Sequence, residues 1–391
     1  MQWQATTTNR VTPGRTKATS AALGGLIALA AAIGIGRFVY TPILPPMMSD
    51  LGLSGSAAGL IASANYFGYL VGALVAAAPV LPGPRRLWLL GALAISGITT
   101  ACTGLSETLA LFLILRFIGG AASAFVLILA SAVVLERLAE ARRDGLSSLH
   151  FAGVGVGIAI SAIMVAALLR VGQSWQSLWL ASGALSLGAV PAVALLLRER
   201  SAPPPRSSNR QVGKTIDATL QRLVVAYGLF GFGYVITATF LVAIVRSTPT
   251  TGALEPLIWV IFGGAAAPSV ALWTRIAARL GIPTTFAVAC AVEAFGVLAS
   301  VAWPAKIGAF LSAILVGGTF MGLTALGLVR ARTLVTGDPR RALAWMTGAF
   351  GLGQITGPAL AGVLSDRLGG FTVPSIAAVV ALLIAAILQR K

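Results

Sequence analysis

The sequence predicts an all-α membrane protein whose twelve transmembrane helices form two pseudo-symmetric six-helix halves. Three observations predict it. Along the 391 residues, hydropathy rises into twelve runs, each near the roughly 20 apolar residues a helix needs to cross a bilayer. Of the 28 Lys and Arg residues, 22 fall in tails and loops on one side, four (Arg170, Arg246, Lys306, Arg367) on the other, and Arg37 and Arg116 inside the runs. Basic loops stay in the cytoplasm, so both termini are expected there and the chain in the plasma (inner) membrane. The third observation is a repeat of glycines across the midpoint, developed below.

Composition narrows the class further. With 57% hydrophobic and 10% charged residues, a soluble domain would lack the polar material to cover its surface. The formal charge of +17 is spread over many short loops and reads as a topology signal rather than a nucleic-acid footprint. Cys102 and Cys290 lie in different runs, which gives no support to a disulfide framework or metal site. No phosphate-binding loop is present, so no cofactor is expected.

Taken in order, residues 1–18 are polar and weakly basic and read as a disordered cytoplasmic tail. The run over 19–40 is longer than the apolar core of a signal peptide and is taken as the first span. Spans are expected at 19–44, 55–78, 87–105, 108–137, 149–170 and 175–197, making an N-terminal half over 19–197. A linker over 198–221 carries SAPPPRSSNR and a cluster of basic residues, the composition of a flexible cytoplasmic connection. The C-terminal half, 222–391, holds spans at 222–246, 255–278, 284–303, 306–332, 343–364 and 371–389. Open sheet edges cannot face lipid, so all twelve are read as helices.

The two halves correspond at a nearly constant offset. Gly34 and Gly36 match Gly231 and Gly233, 197 residues on; Gly119-Gly120 match Gly317-Gly318 and Gly153 and Gly155 match Gly351 and Gly353, 198 on. Three matches in the same order point to a duplicated six-helix unit. Small residues also recur every fourth position: Gly68, Gly72 and Ala76; Gly153, Gly157 and Ser161; Gly353, Gly357 and Ala361. Such faces let helix backbones approach closely in lipid. Pro268 and Pro358 lie inside spans eight and eleven, where a missing N–H permits bending.

Six plus six helices about a cytoplasmic linker resemble the major facilitator superfamily. The stretches GIGRFVYTPILPPM (Gly34–Met47), SANYFGYLVGAL (Ser63–Leu74), HFAGVGVGIAIS (His150–Ser161), GGTFMGLTALGL (Gly317–Leu328) and GLGQITGP (Gly351–Pro358) resemble its YbfB/YjiJ-type branch. RFIGGAASAF (Arg116–Phe125) is similar to the fourth-helix motif of the superfamily. The loop after span two departs from the pattern: PGPRR (Pro82–Arg86) has no carboxylate, and neither has the equivalent loop with Arg275 and Arg279. The resemblance implies the major facilitator fold, with the first, fourth, seventh and tenth helices lining a central cavity.

Arg37 and Arg116 lie on the first and fourth of those helices. A mid-helix arginine costs about 2.5–3.5 kcal/mol on insertion scales, so each should face water or a partner. Arg37 shares a helix face with Ile33, Tyr40 and Thr41, and Arg116 shares one with Gly119, Gly120 and Ser123. By the repeat offsets their counterparts are Tyr234 and Ile314, so positive charge is confined to one half. A guanidinium fork suits a carboxylate or sulfonate. The expected ligands of a small organic anion are Arg37, Tyr40, Asn65, Arg116, Tyr234 and Gln354, with Arg116 alternatively bonded to backbone carbonyls.

Of eleven acidic residues, only Glu293 lies deep within a span. It is one proton-coupling candidate; His150, the lone histidine, opens span five and is the other, or simply an interfacial residue. Trp175 and Trp179 read as an interfacial belt anchor, and Tyr66, Tyr69 and Tyr227 as helix packing. An intramembrane enzyme would need a converging nucleophile and base or a metal cluster, and a channel would need a filter loop or ring; neither pattern is present. The sequence therefore reads as a non-enzymatic, monomeric secondary transporter working by alternating access, with proton-coupled movement of a small anion. An exporter of drugs or metabolites, and a non-transporting sensor on a transporter fold, remain as alternatives.

Overall fold

Helix dominates the described residues, each span satisfying its own backbone hydrogen bonds as lipid requires. The computed structural model describes residues 13–77, 82–197, 217–248, 250–303, 305–335 and 339–390. The first span is composite: α1 (Pro13–Leu29), a π-helical turn (Ala30–Ile35), a turn over 36–39, and α2 (Tyr40–Leu51). The N-terminal half continues with α3 (Gly55–Ala76), α4 (Arg85–Thr103), α5 (Leu109–Glu140), α6 (Ser147–Arg170) and α7 (Trp175–Leu196). The C-terminal half comprises α8 (Ala218–Ser247), α9 (Glu255–Leu280), α10 (Ile282–Ala302), α11 (Lys306–Thr333), α12 (Arg340–Leu368) and α13 (Thr372–Gln389).

Two boundaries, those of the expected tail and linker, shift. Helix α1 begins at Pro13, inside the segment read as tail, because proline is well placed in a first helical turn. Helix α8 takes in Ala218–Gln221 from the end of the expected linker. The rest of the tail (1–12) and of the linker (198–216) lies outside the described residues. Among the described residues, eleven segments are long and apolar enough to cross a membrane, the first running over Lys17–Leu51. Helix α12 is not among them, although its 29 residues exceed the roughly 20 required. Its polar content has a structural reason: it lies between α3 and α8 rather than against lipid over much of its length. Elsewhere large apolar side chains point outward, among them Phe67, Ile114, Ile163 and Ile387.

Small residues set the helix spacing. A Cβ added at Gly68 or Gly72 of α3 would collide with the α5 backbone at Phe117 or Ala121. Gly153 and Gly157 of α6 lie equally close to Leu26 and Ala30. Gly353 and Gly357 of α12 do so against α8. Pro268 and Pro358 are held inside α9 and α12, which continue through them.

The repeat is visible in three dimensions, with one register corrected. Gly120 packs on the Asn65 carbonyl, and Gly317 packs on the Phe262 carbonyl; both members of the second pair stand 197 residues after those of the first. The register between α5 and α11 is therefore 197 rather than 198, which pairs Gly120 with Gly317 and leaves Gly119 and Gly318 without a glycine counterpart. The counterpart of Arg116 is thus Ala313, fully buried, rather than Ile314, which is 47% exposed. Equivalent residues also meet: Thr41 Oγ1 donates to the Ala238 carbonyl at 2.7 Å, again 197 residues away. The pseudo-twofold axis passes through that contact.

The halves join chiefly through α3 against α12 and α6 against α9. Their hydrogen bonds cluster toward the face opposite the one where α1 begins and α13 ends. Ser63 Oγ donates to the Ile355 carbonyl at 2.7 Å. The Gly55 and Ser56 N–H groups donate to the Asp366 carboxylate at 2.7 and 2.8 Å, joined by the Ser56 hydroxyl. Helices α5 and α11, by contrast, make at most marginal contact. The inter-half hydrogen bonds thus gather at one face of the bundle.

Candidate functional site

A proline starts the construction of the site. Pro42 has no N–H to offer the Phe38 carbonyl one turn earlier, and its ring crowds that carbonyl. The helix yields just before it. Through the π-helical turn, bonds run to the fifth residue back: Gly36 N–H to Ala31 O at 2.9 Å and Phe38 N–H to Ile33 O at 3.1 Å. Thr41 N–H then turns to Phe38 O at 3.3 Å instead of Arg37 O.

The carbonyls of Gly36 and Arg37 are left over in the bundle interior, where an unpaired carbonyl costs about 1–3 kcal/mol. Arg116 from α5 donates to both, Nη1 to Gly36 O and Nη2 to Arg37 O, each at 2.9 Å. Its guanidinium centre lies 5.2 Å from the Tyr40 ring and 5.5 Å from the Trp179 ring. Asn65 Nδ2 donates to the Arg116 carbonyl at 2.8 Å, and Tyr40 OH to the Ala58 carbonyl at 2.8 Å. Three of the six expected ligands thus turn polar groups to neighbouring backbone. Of the two sequence readings of Arg116, its geometry fits the bond to carbonyls.

Arg37 is in the opposite situation. It leaves the broken turn with 6% exposure, and its Nε and Nη2 are buried without a partner. Its guanidinium centre sits 4.3 Å from the Tyr66 ring centroid and 4.4 Å from that of Tyr69. Tyr66 and Tyr69, one helical turn apart on α3, were expected only to pack helices. Their spacing of three residues places them on one helix face, but that spacing does not separate packing from holding a cation. Such contacts hold a cation by its face; the Tyr69 hydroxyl also lies within hydrogen-bond reach of Arg37, while Nε and Nη2 keep no partner.

The C-terminal half supplies the facing wall. Tyr234 on α8 is bonded to the Gln354 Nε2 donor of α12. It also stacks nearly parallel on Phe320, with centroids 5.5 Å apart, and on Phe350, 5.9 Å apart. Phe38, beside Arg37, reaches Phe320 at 5.9 Å. Arg37 thereby lies where both halves meet, as Tyr234, its counterpart, does. No carboxylate among the described residues forms an ion pair with it.

The remaining expectations separate. Glu293 on α10 is fully buried, and neither carboxyl oxygen has a hydrogen-bond partner; Thr319 of α11 is its polar neighbour. His150 is buried too, not interfacial. Its Nε2 pairs with the Ser131 hydroxyl at 2.9 Å, and its Nδ1 edge packs on Gly25. Trp175 and Trp179 are buried rather than forming a belt, packed against Phe112 and Tyr40. Among the described residues there is no metal-binding cluster of His, Cys, Asp and Glu.

A twelve-helix duplicated bundle with its inter-half hydrogen bonds at one face and a buried cation at the junction of its halves defines a major facilitator transporter. The chain belongs to the family described as "Uncharacterised MFS-type transporter YbfB", which matches residues 29–390. Among curated proteins it is similar to a "Chloramphenicol resistance protein" of Streptomyces lividans, 25% identical and spanning 90% of this chain and 92% of that one. Among solved structures it resembles a point mutant of the nucleoside transporter NupG, with TM-score 0.71 and 16% identity over 95% of this chain and 98% of that one. It also resembles a bacterial homologue of the human lysosomal transporter Spinster, in an inward-facing and occupied conformation. There the TM-score is 0.71 at 14% identity, covering 95% of each chain. At these identities the structural likenesses establish the fold.

Proposed function

We propose that this membrane transporter is a secondary one working by alternating access, and that it moves a small organic anion together with a proton. One observation carries the reading: Arg37 is a buried cation with two unpaired donors at the junction of the halves. A charge there is costly, and a carboxylate or sulfonate would satisfy both donors side by side. Tyr66 and Tyr69 hold the guanidinium plane, and the Tyr234–Gln354 pair offers polar atoms from the other half. Arg116, Asn65 and Tyr40 act as positioning residues that keep the broken first span in shape.

Glu293 is the leading proton carrier in this scheme, as the carboxyl buried deep in the bundle without a cation beside it; His150 is the second titratable group. The chain acts as a monomer in the plasma membrane with its terminal face in the cytoplasm, a placement supported by the basic residues crowding that face. The marginal contact of α5 with α11 then corresponds to a state open inward.

Export of a neutral, aromatic compound is the second reading. It is favoured by the likeness to a chloramphenicol resistance protein, 25% identical, and by the parallel rings of Tyr234, Phe320 and Phe350, on which a flat solute would stack. Liposomes holding the purified protein, given labelled carboxylates, sulfonates or chloramphenicol under an imposed proton gradient, decide between them. The expected result is gradient-driven anion flux that falls by about tenfold or more in R37Q, the loss of one strong charged contact. Anion flux unchanged in R37Q would overturn the assignment. Chloramphenicol flux indifferent to R37Q would favour the exporter, and binding without any flux a sensor.

A further inference from the structure

The three arginines Arg222, Arg330 and Arg390 have no part in the central site, yet they converge. They line a cleft of about 330 Å³ at the terminal-face ends of α8, α10, α11 and α13. We propose that this cleft binds the phosphate headgroup of an anionic phospholipid.

Four features of the cleft support this. Arginines from three different helix ends line one space, and among the described residues no carboxylate lines it. Among the described residues none of the three forms an ion pair with a carboxylate. Arg222 Nε reaches its own helix, at 3.4 Å from the Ala218 carbonyl, and among the described residues its two terminal nitrogens have no hydrogen bond that would compete with a phosphate fork. The start of α10 faces the same space through Pro283 and Thr284. No side chain caps that start, Gly281 standing at the cap position, and the first N–H groups of a helix attract anions.

The rest of the lining tells a lipid from a free phosphate. Ala287, Val288 and Leu388 form an apolar side to the cleft, and Val288 is 37% exposed on the outer surface of the bundle. A headgroup entering there would set its glycerol and chains against that apolar side while its phosphate met the arginines. Basic clefts between membrane helices at the interface are suited to such headgroups. Inorganic phosphate would gain nothing from the apolar side.

The test uses the full-length protein purified in detergent, with dioleoylphosphatidylglycerol as probe. Phosphatidylglycerol is expected to raise the melting temperature by about 3 °C or more when well above its dissociation constant, with dioleoylphosphatidylcholine and inorganic phosphate giving less than half that shift. R330Q/R390Q should at least halve the gain, whereas R275Q/R279Q, which removes terminal-face charge outside the cleft, should keep it. Counting retained phosphatidylglycerol by native mass spectrometry gives a readout independent of stability, and R390Q alone changes only an exposed position at the end of α13. The proposal is overturned if phosphatidylcholine or inorganic phosphate matches the probe. It is equally overturned if both double variants lose the shift alike, or if R390Q and R330Q/R390Q retain as much lipid as the parent.

Discussion

The first and seventh spans occupy equivalent places in the two halves, yet one is broken and the other is a continuous 30-residue helix. Position 42 in the first is proline; its counterpart 197 residues on is Thr239, which keeps its N–H and leaves α8 intact. The helix packed behind each span differs to match. Opposite the break stands Arg116, with two donors for two freed carbonyls; opposite the intact helix stands Ala313, with none. Proline and arginine are thus two halves of one device present in a single repeat. Arg37 is what that device displays. Its own counterpart, Tyr234, sits on unbroken helix and finds its partner in Gln354.

Breaking the device should show the largest effect. R116M leaves two buried carbonyls unpaired and is expected to cost about 2–6 kcal/mol of stability at 1–3 kcal/mol per group. The measurement is a denaturation or melting midpoint in detergent. Adding P42A should recover part of the loss by letting the helix close on its own carbonyls, so the double variant measures the coupling between the two positions. Strict additivity of P42A and R116M would show the two to be unconnected. Next comes the reciprocal experiment. T239P imposes on α8 the break that the first span has, without a guanidinium behind it, and should cost about 3 kcal/mol. A smaller penalty in T239P/A313R than in T239P alone would mean that the device can be transplanted.

The smallest expected effect concerns the hydrogen-bonded face. Asp366 lies in the last turn of α12, exposed, and the Ser56 hydroxyl, with the Ser56 and Gly55 N–H groups, holds its carboxyl below the usual carboxylate range. A lowered value means that the carboxylate's contribution is complete above the ordinary aspartate pKa near 3.9 and is lost as pH falls through the lowered one. D366N should therefore lose about 0.5 kcal/mol at neutral pH, at the low end for a helix cap because the group is screened by solvent. Parent and variant melting curves should converge as pH drops below 3.9. A gap that stays constant to pH 2 would remove the carboxylate from the contact between the halves.

Most of the fold could be read from the sequence because hydropathy and charge placement are one-dimensional signals. The spans, their order and the duplicated unit emerge from them directly. Where reading failed, the missing information was three-dimensional. A proline at 42 is visible, but its remedy lies more than 70 residues away on another helix. Glycine doublets leave a register ambiguous by one residue, and only the Gly120–Asn65 and Gly317–Phe262 contacts fix it. Trp175 and Trp179 have belt composition at a span end, yet their neighbours bury them. Helix α12 is less apolar than its companions because α3 and α8 flank it. Within the candidate site, Arg37, Tyr234 and Gln354 were identifiable as polar groups on the first, seventh and eleventh spans. Tyr66 and Tyr69 were not, since nothing in one sequence separates a tyrosine that packs from one that cradles a cation.

The seam that joins the halves at one end of the bundle is built from a carboxylate, hydroxyls and backbone amides and carbonyls. Each of those partners can be replaced by a water molecule with little change in energy. Were these bonds to part, water could take their place one at a time, whereas apolar contacts of the same extent have no such substitute.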